Sequence, residues 1–322
     1  MKSTFSLDTV DLRLLRVFIA VVDHGGFAPA QEPLDLSLST ISNHMLALET
    51  RLGTVLCQRG RAGFRLTPDG ELAYAEARRL MTAIEGFQSR IGALRTKLRG
   101  TLRIGLIDNI ITDPRARIDA VIRRFVEAAP QVSLSITTRP PNELLREIAS
   151  GAIQVAFGSF PRIVLGFDYT DLYDETHFFY CGRHHPLFDR PDVGIDIETL
   201  RRHRIIARAY WGSRDLKPFA LAASPATVND MEAEAHLILS GAFIGYLPDH
   251  YARRFVEAGT MRAIRPEEFV YKAPFQLAHG RETLADPVVR LFVGLVKAEI
   301  ADGRDGATSP PEPADRPPAD RS

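Results

Sequence analysis

Residues 39–43 place four small polar side chains side by side: Ser39, Thr40, Ser42 and Asn43. Hydroxyls and a carboxamide of this size can bond to base edges and phosphates, or simply to water on a solvated helix face. Arg59, Arg61 and Arg65 follow around two glycines, where guanidinium groups would meet phosphate, which positions a duplex without reading it. Arg65 also reads as a plain surface charge. A second polar set falls at the ends of apolar runs: Asp108, Asn109 and Ile110, then Arg139 and Pro140, Ser159 and Phe160, Arg208 and Tyr210, and Asp230 and Met231. In α/β folds ligands bind beyond the carboxyl ends of strands. Asp108 with Arg139 and Arg208 opposite would suit a ligand of both charge signs, or an amine; an internal ion pair closing the cleft accounts for the same residues.

Catalytic patterns are missing from the sequence. It holds no Gly-x-Ser-x-Gly, no phosphate loop, no Gly-x-Gly-x-x-Gly and no zinc-type cluster, so neither an enzyme nor a cofactor is expected. His177, His184 and His185 lack a helical i, i+4 pair or cysteine partners, and read as surface or capping residues rather than as metal ligands. Cys57 lies in apolar sequence and reads as core. Cys181 has no second thiol nearby, which makes a redox role a weak reading.

The elements that must hold these groups can be read from periodicity. Leu12, Leu15, Phe18, Ile19 and Val22 recur at helical spacing, so 11–23 reads as an amphipathic helix closed by Gly25 and Gly26. Residues 27–33 read as a short helix ending near Pro33, and 34–36 as a tight turn. Ser37 can cap the next helix, which runs to about Glu49 with Ile41, Met45 and Leu48 on its inner face. Two helices joined by such a turn suggest a helix-turn-helix, and 55–67 suggests a two-stranded wing. Thr67, Pro68, Asp69 and Glu71 favour the start of a long helix reaching Gly100. Its Leu80, Ile84, Phe87, Ile91, Leu94 and Leu98 form a heptad seam, which seeks a partner helix.

Beyond Thr101 strands and helices alternate in the grammar of a parallel sheet. Strands are expected at 102–107, 132–138, 153–157, 178–181, 204–207, 227–229, 243–247 and 269–278. Helices are expected from Asp113-Pro114 through Phe125, and at 143–149, 231–240, 249–258 and 287–299. Two α/β lobes with a cleft between them fit this order. From Asp302 onward the chain is polar with five prolines, and disorder is expected there.

The chain has 322 residues, with 40 basic and 40 acidic side chains and 45% hydrophobic residues. That is ordinary globular composition, and it argues against collagen-like, disordered and disulfide-dense classes. The length suggests about two or three domains. No apolar run approaches a bilayer span, no secretion signal is evident, and two distant cysteines suit a reducing cytoplasm. Charge is uneven: residues 1–50 carry three basic and six acidic side chains, and residues 51–99 carry ten and four. That basic block suits nucleic acid and equally a solvated helix face.

The segments 12–18, Gly25-Gly26-Phe27, LDLSLSTISNHMLALETRLG (34–53) and RGRAGFRLTPDGE (59–71), with GTLRIG (100–105) and GAFIGYLPDHYA (241–252) in order behind them, resemble the LysR-type transcriptional regulators over residues 8 to about 298. The resemblance implies an α/β protein with an N-terminal winged helix-turn-helix (8–66), a linker and dimerisation helix (67–99) and a two-lobed periplasmic-binding-protein-like effector domain (100–300), with a tail over 301–322. Lobe I would hold about 100–172 and 271–300, and lobe II about 173–270. It implies homodimers pairing into a homotetramer. DNA contacts would fall to Ser37, Leu38, Ser39, Thr40, Ser42, Asn43, Arg59, Arg61 and Arg65. Effector contacts would fall to Asp108, Asn109, Ile110, Arg139, Phe160, Arg208, Tyr210, Asp230 and Met231. Expected partners are double-stranded promoter DNA, a small-molecule effector, the chain itself and RNA polymerase, with no membrane. The sequence departs from the family pattern at Pro33, Leu38, Asn43 and His44, which removes a strong guanine reader and a bidentate amide. A transport solute-binding protein shares the lobes, but would need a signal sequence and no helix-turn-helix.

Overall fold

The computed structural model describes residues 8–60, 63–93 and 98–306. The N-terminal unit is α1 (Thr9–Asp23), α2 (Gln31–Leu34), α3 (Leu38–Leu52), the hairpin β1 (Cys57–Gly60) and β2 (Gly63–Leu66), and the start of α4 (Pro68–Ala93). Phe18 from α1, Ile41, Met45 and Leu48 from α3, and Leu56 before the hairpin are fully buried together. Asp11, wholly buried on α1, is held by the Arg51 guanidinium at the end of α3, so a charged pair sets the crossing of the two helices. The Thr67 hydroxyl accepts the Gly70 N–H at 2.9 Å and opens α4.

Several elements differ from expectation. The second helix begins only at Gln31, and Pro33 lies within its single turn, where a missing N–H costs no helical bond. The long helix is described only to Ala93. Leu98 is outside it and packs against the core that holds Leu102, Phe125 and Phe292, while Gly100 starts a strand at φ +121°. The seam therefore loses Leu98, and Leu94 lies outside the described residues. Leu80 and Ile84 pack against the chain's own N-terminal core, whereas Phe87 and Ile91 are 59% and 48% exposed.

The remaining elements are β3 (Gly100–Leu106), α5 (Ile118–Ala128), β4 (Val132–Thr138), α6 (Pro141–Ser150), β5 (Val155–Gly158), β6 (Phe167–Gly182), α7 (Ile197–Arg201), β7 (Ile206–Arg208), β8 (Ala226–Val228), α8 (Met231–Leu239), β9 (Ile244–Pro248), α9 (Asp249–Glu257), β10 (Met261–Ala263), β11 (Val270–Gly280) and α10 (Pro287–Gly306). The sheet is mixed rather than parallel. β3 pairs in parallel with β4 and β5, but β11 runs antiparallel to both β5 and β6. Asp113-Pro114 opens no helix, because the Arg115 side chain wraps back onto Asp113 and α5 starts only after Arg117 at φ 44°. Helix α10 continues to Gly306, so 302–306 are helical where disorder was expected; the rest of the tail lies outside the described residues.

Two long strands join the lobes. β6 and β11 pair from Phe167–Gly280 to Phe178–Val270. The early part of β6 packs in the first lobe, where Leu172 joins Leu102, Phe125, Phe157, Phe275 and Phe292. Its late part packs in the second, where Phe179 joins Phe219, Ile244 and Phe269. Residues near the middle of β6 therefore face the space between the lobes.

Candidate functional sites

The first site is the exposed start of α3. Ser37 is extended and accepts the Thr40 N–H at 3.2 Å, and its hydroxyl also meets those of Ser39 and Thr40 at 3.0 and 2.8 Å. The Gln31 carboxamide accepts the Leu38 N–H at 3.0 Å, fixing the preceding turn against the helix. With Ile41, Met45 and Leu48 turned inward, helical spacing leaves Leu38, Ser39 and Asn43 facing outward, with Thr40 and Ser42 half-buried. The outer face thus carries the expected groups, although Leu38 offers it an apolar side chain 44% exposed. In the hairpin, Arg65 is exposed opposite Gln58, and Arg59 lies on β1 opposite Phe64. Arg61 lies outside the described residues.

The second site is the cleft between the lobes. A chamber of about 20 Å³ is lined by Asp108, Asn109, Ser159, Glu175, His177, Arg208, Tyr210, Trp211, Met231 and His250, among others. That is room for about one water, so the lobes are nearly closed. Asp108 makes the closing contact. Its Oδ2 accepts the backbone N–H of Met231, the first residue of α8, at 2.6 Å, and the Asn109 carboxamide at 2.6 Å. A helix N-terminus favours a carboxylate. Burial, and the nearby Asp230 and Glu175, raise the Asp108 pKa.

Arg208 lines the chamber as expected, but its guanidinium already has partners. It is wholly buried and forked onto Asp215, with Nε to Oδ2 at 3.1 Å and Nη2 to Oδ1 at 2.5 Å. It also donates to the Tyr271 hydroxyl. A guanidinium so enclosed stays charged: burial lowers its pKa, but its neighbours more than offset that. Its Nη1 lies 3.5 Å from His177 Nδ1, which assigns His177 the neutral tautomer that donates through Nε2 to Glu175 at 2.7 Å. Burial lowers the His177 pKa, which agrees with a neutral ring. Glu175 accepts a second imidazole, His250 Nε2, at 3.0 Å. Burial would raise its pKa, but the two rings outweigh it and hold Glu175 below the usual carboxylate range.

Four expected cleft residues are elsewhere. Arg139 lies at the end of β4 with its guanidinium half-exposed near Glu147 at 3.7 Å, and it does not line the chamber. Ile110 is buried in the first lobe's core. Asp230 caps α8, accepting the Ala233 N–H at 2.7 Å. Phe160 lines a wider groove of about 710 Å³, which shares Trp211 with the chamber. The sequence reading missed Glu175, His177, Trp211 and His250. The i, i+2 spacing of Glu175 and His177 places both on one face of a strand, but a run expected only from Phe178 did not include them.

A cation could be considered at Asp113, Glu175 and His250, whose donor atoms lie within 4.8 Å of one another. Each is engaged already: Asp113 with Arg115 at 2.8 Å, Glu175 with two imidazoles, and His250 with Thr112 at 2.7 Å. Hydrogen bonding accounts for the cluster. His185 is buried beside His203 and its ring accepts the Leu187 N–H at 3.2 Å, while His184 is exposed. Cys57 and Cys181 are both buried. Burial pushes the Cys181 thiol up to about 11, which suppresses the reactive thiolate.

Residues 12–71 match the bacterial regulatory helix-turn-helix of the lysR family, and residues 95–301 match the LysR substrate binding domain. The HTH-type transcriptional activator BauR of Pseudomonas aeruginosa is 40% identical over 293 residues, covering 89% of this chain and 94% of that protein. The SDS degradation transcriptional activation protein of a Pseudomonas species is 29% identical over 75% of this chain and 73% of its own. Among solved structures, the regulator CbnR superposes with a TM-score of 0.58 at 21% identity, covering 90% of this chain and 99% of that one. Full-length CbnR in complex with its target DNA gives 0.56 at 23% identity, covering 89% and 99%.

Proposed function

This chain belongs to the LysR family of transcriptional regulators, and from that premise we propose that a small molecule bound between its lobes controls transcription from promoter DNA read by α3. The observation that carries this is the Asp108–Met231 bond, because one side chain of the first lobe there grips a helix terminus of the second across the cleft. A ligand taking those groups would change the angle between the lobes. It can shift that equilibrium only through different affinity for the two arrangements.

The proposed division is a winged helix-turn-helix over 8–66, a linker over 67–99 and lobes drawn from 100–172 with 271–300 and from 173–270. Ser37, Leu38, Ser39, Thr40, Ser42 and Asn43 meet the duplex from α3, and Arg59, Arg61 and Arg65 meet phosphates from the wing. Asp108, Asn109, Tyr210 and Met231 contact the effector, with Arg208 holding the wall behind them. Copies pair through the exposed seam at Phe87 and Ile91, and pairs assemble as tetramers. RNA polymerase is a partner at the promoter. No described helix is long and apolar enough to cross a membrane, and a cytoplasmic location follows from the DNA target.

Gel shifts with DNA flanking the gene test the reading. Full-length protein should bind an interrupted inverted repeat, with an affinity that falls steeply as salt rises, since its arginines displace condensed counterions. Binding to no flanking fragment, or binding indifferent to salt, would contradict it.

A further inference from the structure

The charged groups lining the inter-lobe chamber are paired unequally. Glu175 holds two imidazoles, and Arg208 is matched by Asp215 and Tyr271. Among the described residues Asp108 makes no ion pair, and the nearby acids Asp230 and Glu175 act on it. Its Oδ2 meets only N–H dipoles, from Met231 and from its neighbour Asn109. Asp108 is thus a buried carboxylate met only by backbone and carboxamide N–H groups, while the guanidinium that lines the chamber, Arg208, already has its carboxylate in Asp215. Burying a charge costs free energy until it is paired.

We propose that the effector carries a primary ammonium group that binds the Asp108 carboxylate, and that Arg208 is not an anchor for a ligand carboxylate. This rests on the cleft being the effector site. An ammonium has three donors in a compact group. One can reach Asp108 Oδ1 while Oδ2 remains on the Met231 N–H. The Ser159 oxygen, whose hydroxyl donates to the Pro274 carbonyl at 2.9 Å, is a further acceptor in the lining. Tyr210 lines the same chamber, and a ring face attracts a desolvated cation; the Trp211 ring already lies against the Arg208 and Arg214 guanidinium groups. A plain carboxylate there would meet Asp108 and Glu175, and the guanidinium in the chamber's lining, Arg208, is already matched by Asp215. With room for about one water, the chamber admits such a ligand only as the lobes part.

Trp211 is the one tryptophan of the chain and lines the chamber, so its fluorescence reports the site directly. Full-length protein is titrated at neutral pH with n-alkylamines, ω-amino acids and n-alkanoates of matched short chain length. Compounds with an ammonium should change Trp211 emission saturably, and the alkanoates should not. Asp108→Asn, with its folding checked by circular dichroism and thermal melting, should raise the Kd of the best amine at least tenfold. Asp108→Glu, which keeps the charge, should recover part of that loss. Alkanoates that saturate Trp211 as well as amines do, or an amine Kd within twofold in Asp108→Asn, would overturn the ammonium and leave the cleft reading standing. Silence of Trp211 toward every compound would overturn the ammonium proposal, and a promoter response that persists without any Trp211 change would overturn the cleft reading as well.

Discussion

Arg208 and Asp215 form a fully buried, two-pronged ion pair beneath the inter-lobe chamber, and the backbone N–H of Arg208 donates to the same carboxylate at 2.9 Å. Removing one member of such a pair strands the other charge in the interior, at about 3–5 kcal/mol. Arg208→Ala should therefore lower the melting temperature of the effector domain and disturb ligand binding only as a consequence. Arg208→Met with Asp215→Leu should regain much of the stability. Calorimetry of the two variants decides this; an Arg208→Ala protein as stable as wild type would show that the pair contributes little.

Glu234 supplies a pH test. It is wholly buried in the first turn of α8, its Oε2 has no hydrogen-bond partner, and burial pushes its pKa up to about 8. The unfolded chain ionises this group near the ordinary 4.5. The folded state thus holds its proton more tightly, and the associated stability is complete below about pH 4.5 and is lost as pH rises toward 8. The loss is on the order of a few kcal/mol. Urea melts between pH 5 and 8 should show a decline that Glu234→Gln flattens. An unchanged slope in that variant would assign the decline to other groups.

The exposed seam makes a prediction about assembly. Phe87 and Ile91 lie one turn apart on α4 and are open to solvent in the single chain. Ile84 already packs on the chain's own core, so substituting it would confound folding with pairing. Phe87→Asp with Ile91→Asp would place like charges opposite one another in a paired helix, which costs several kcal/mol in order of magnitude. Sedimentation should then show monomers of unchanged melting temperature. A retained oligomer would place the contact elsewhere.

Gly70 sits where α4 leaves the wing. A Cβ there would lie 1.9 Å from the Leu56 carbonyl oxygen, a backbone atom that cannot swing away. Gly70→Ala should destabilise the N-terminal unit by at least about 1–3 kcal/mol, read as early loss of helical signal on heating. An undisturbed melt would mean that the wing can shift without cost.

The sequence was most readable where local chemistry decides structure. Ser37 and Thr67 signalled their helix starts because a capping hydroxyl acts within three residues, and Ile41, Met45 and Leu48 marked the buried face of α3 because helical spacing is local. The cleft was only half legible. Asp108, Asn109 and Met231 come together because strand ends and helix starts face the gap in such folds. The fate of Arg208 was hidden, because Asp215 and Tyr271 reach it by tertiary folding. Arg139 was misplaced for a similar reason: its backbone extends the β3–β4 ladder by donating to the Leu106 carbonyl, while its side chain turns toward Glu147. The network of Glu175, His177 and His250 joins a strand to a helix far along the chain, and no spacing announces it.

In-vitro transcription from the flanking promoter tests the central claim most directly, with a compound chosen because it saturates the Trp211 fluorescence change. Transcript yield should change over the same concentration range that changes Trp211 emission, and in Asp108→Asn both curves should move together to higher concentration. Saturation of the Trp211 signal with transcript yield unaltered would contradict the account, because the cleft would then bind a ligand without controlling the promoter.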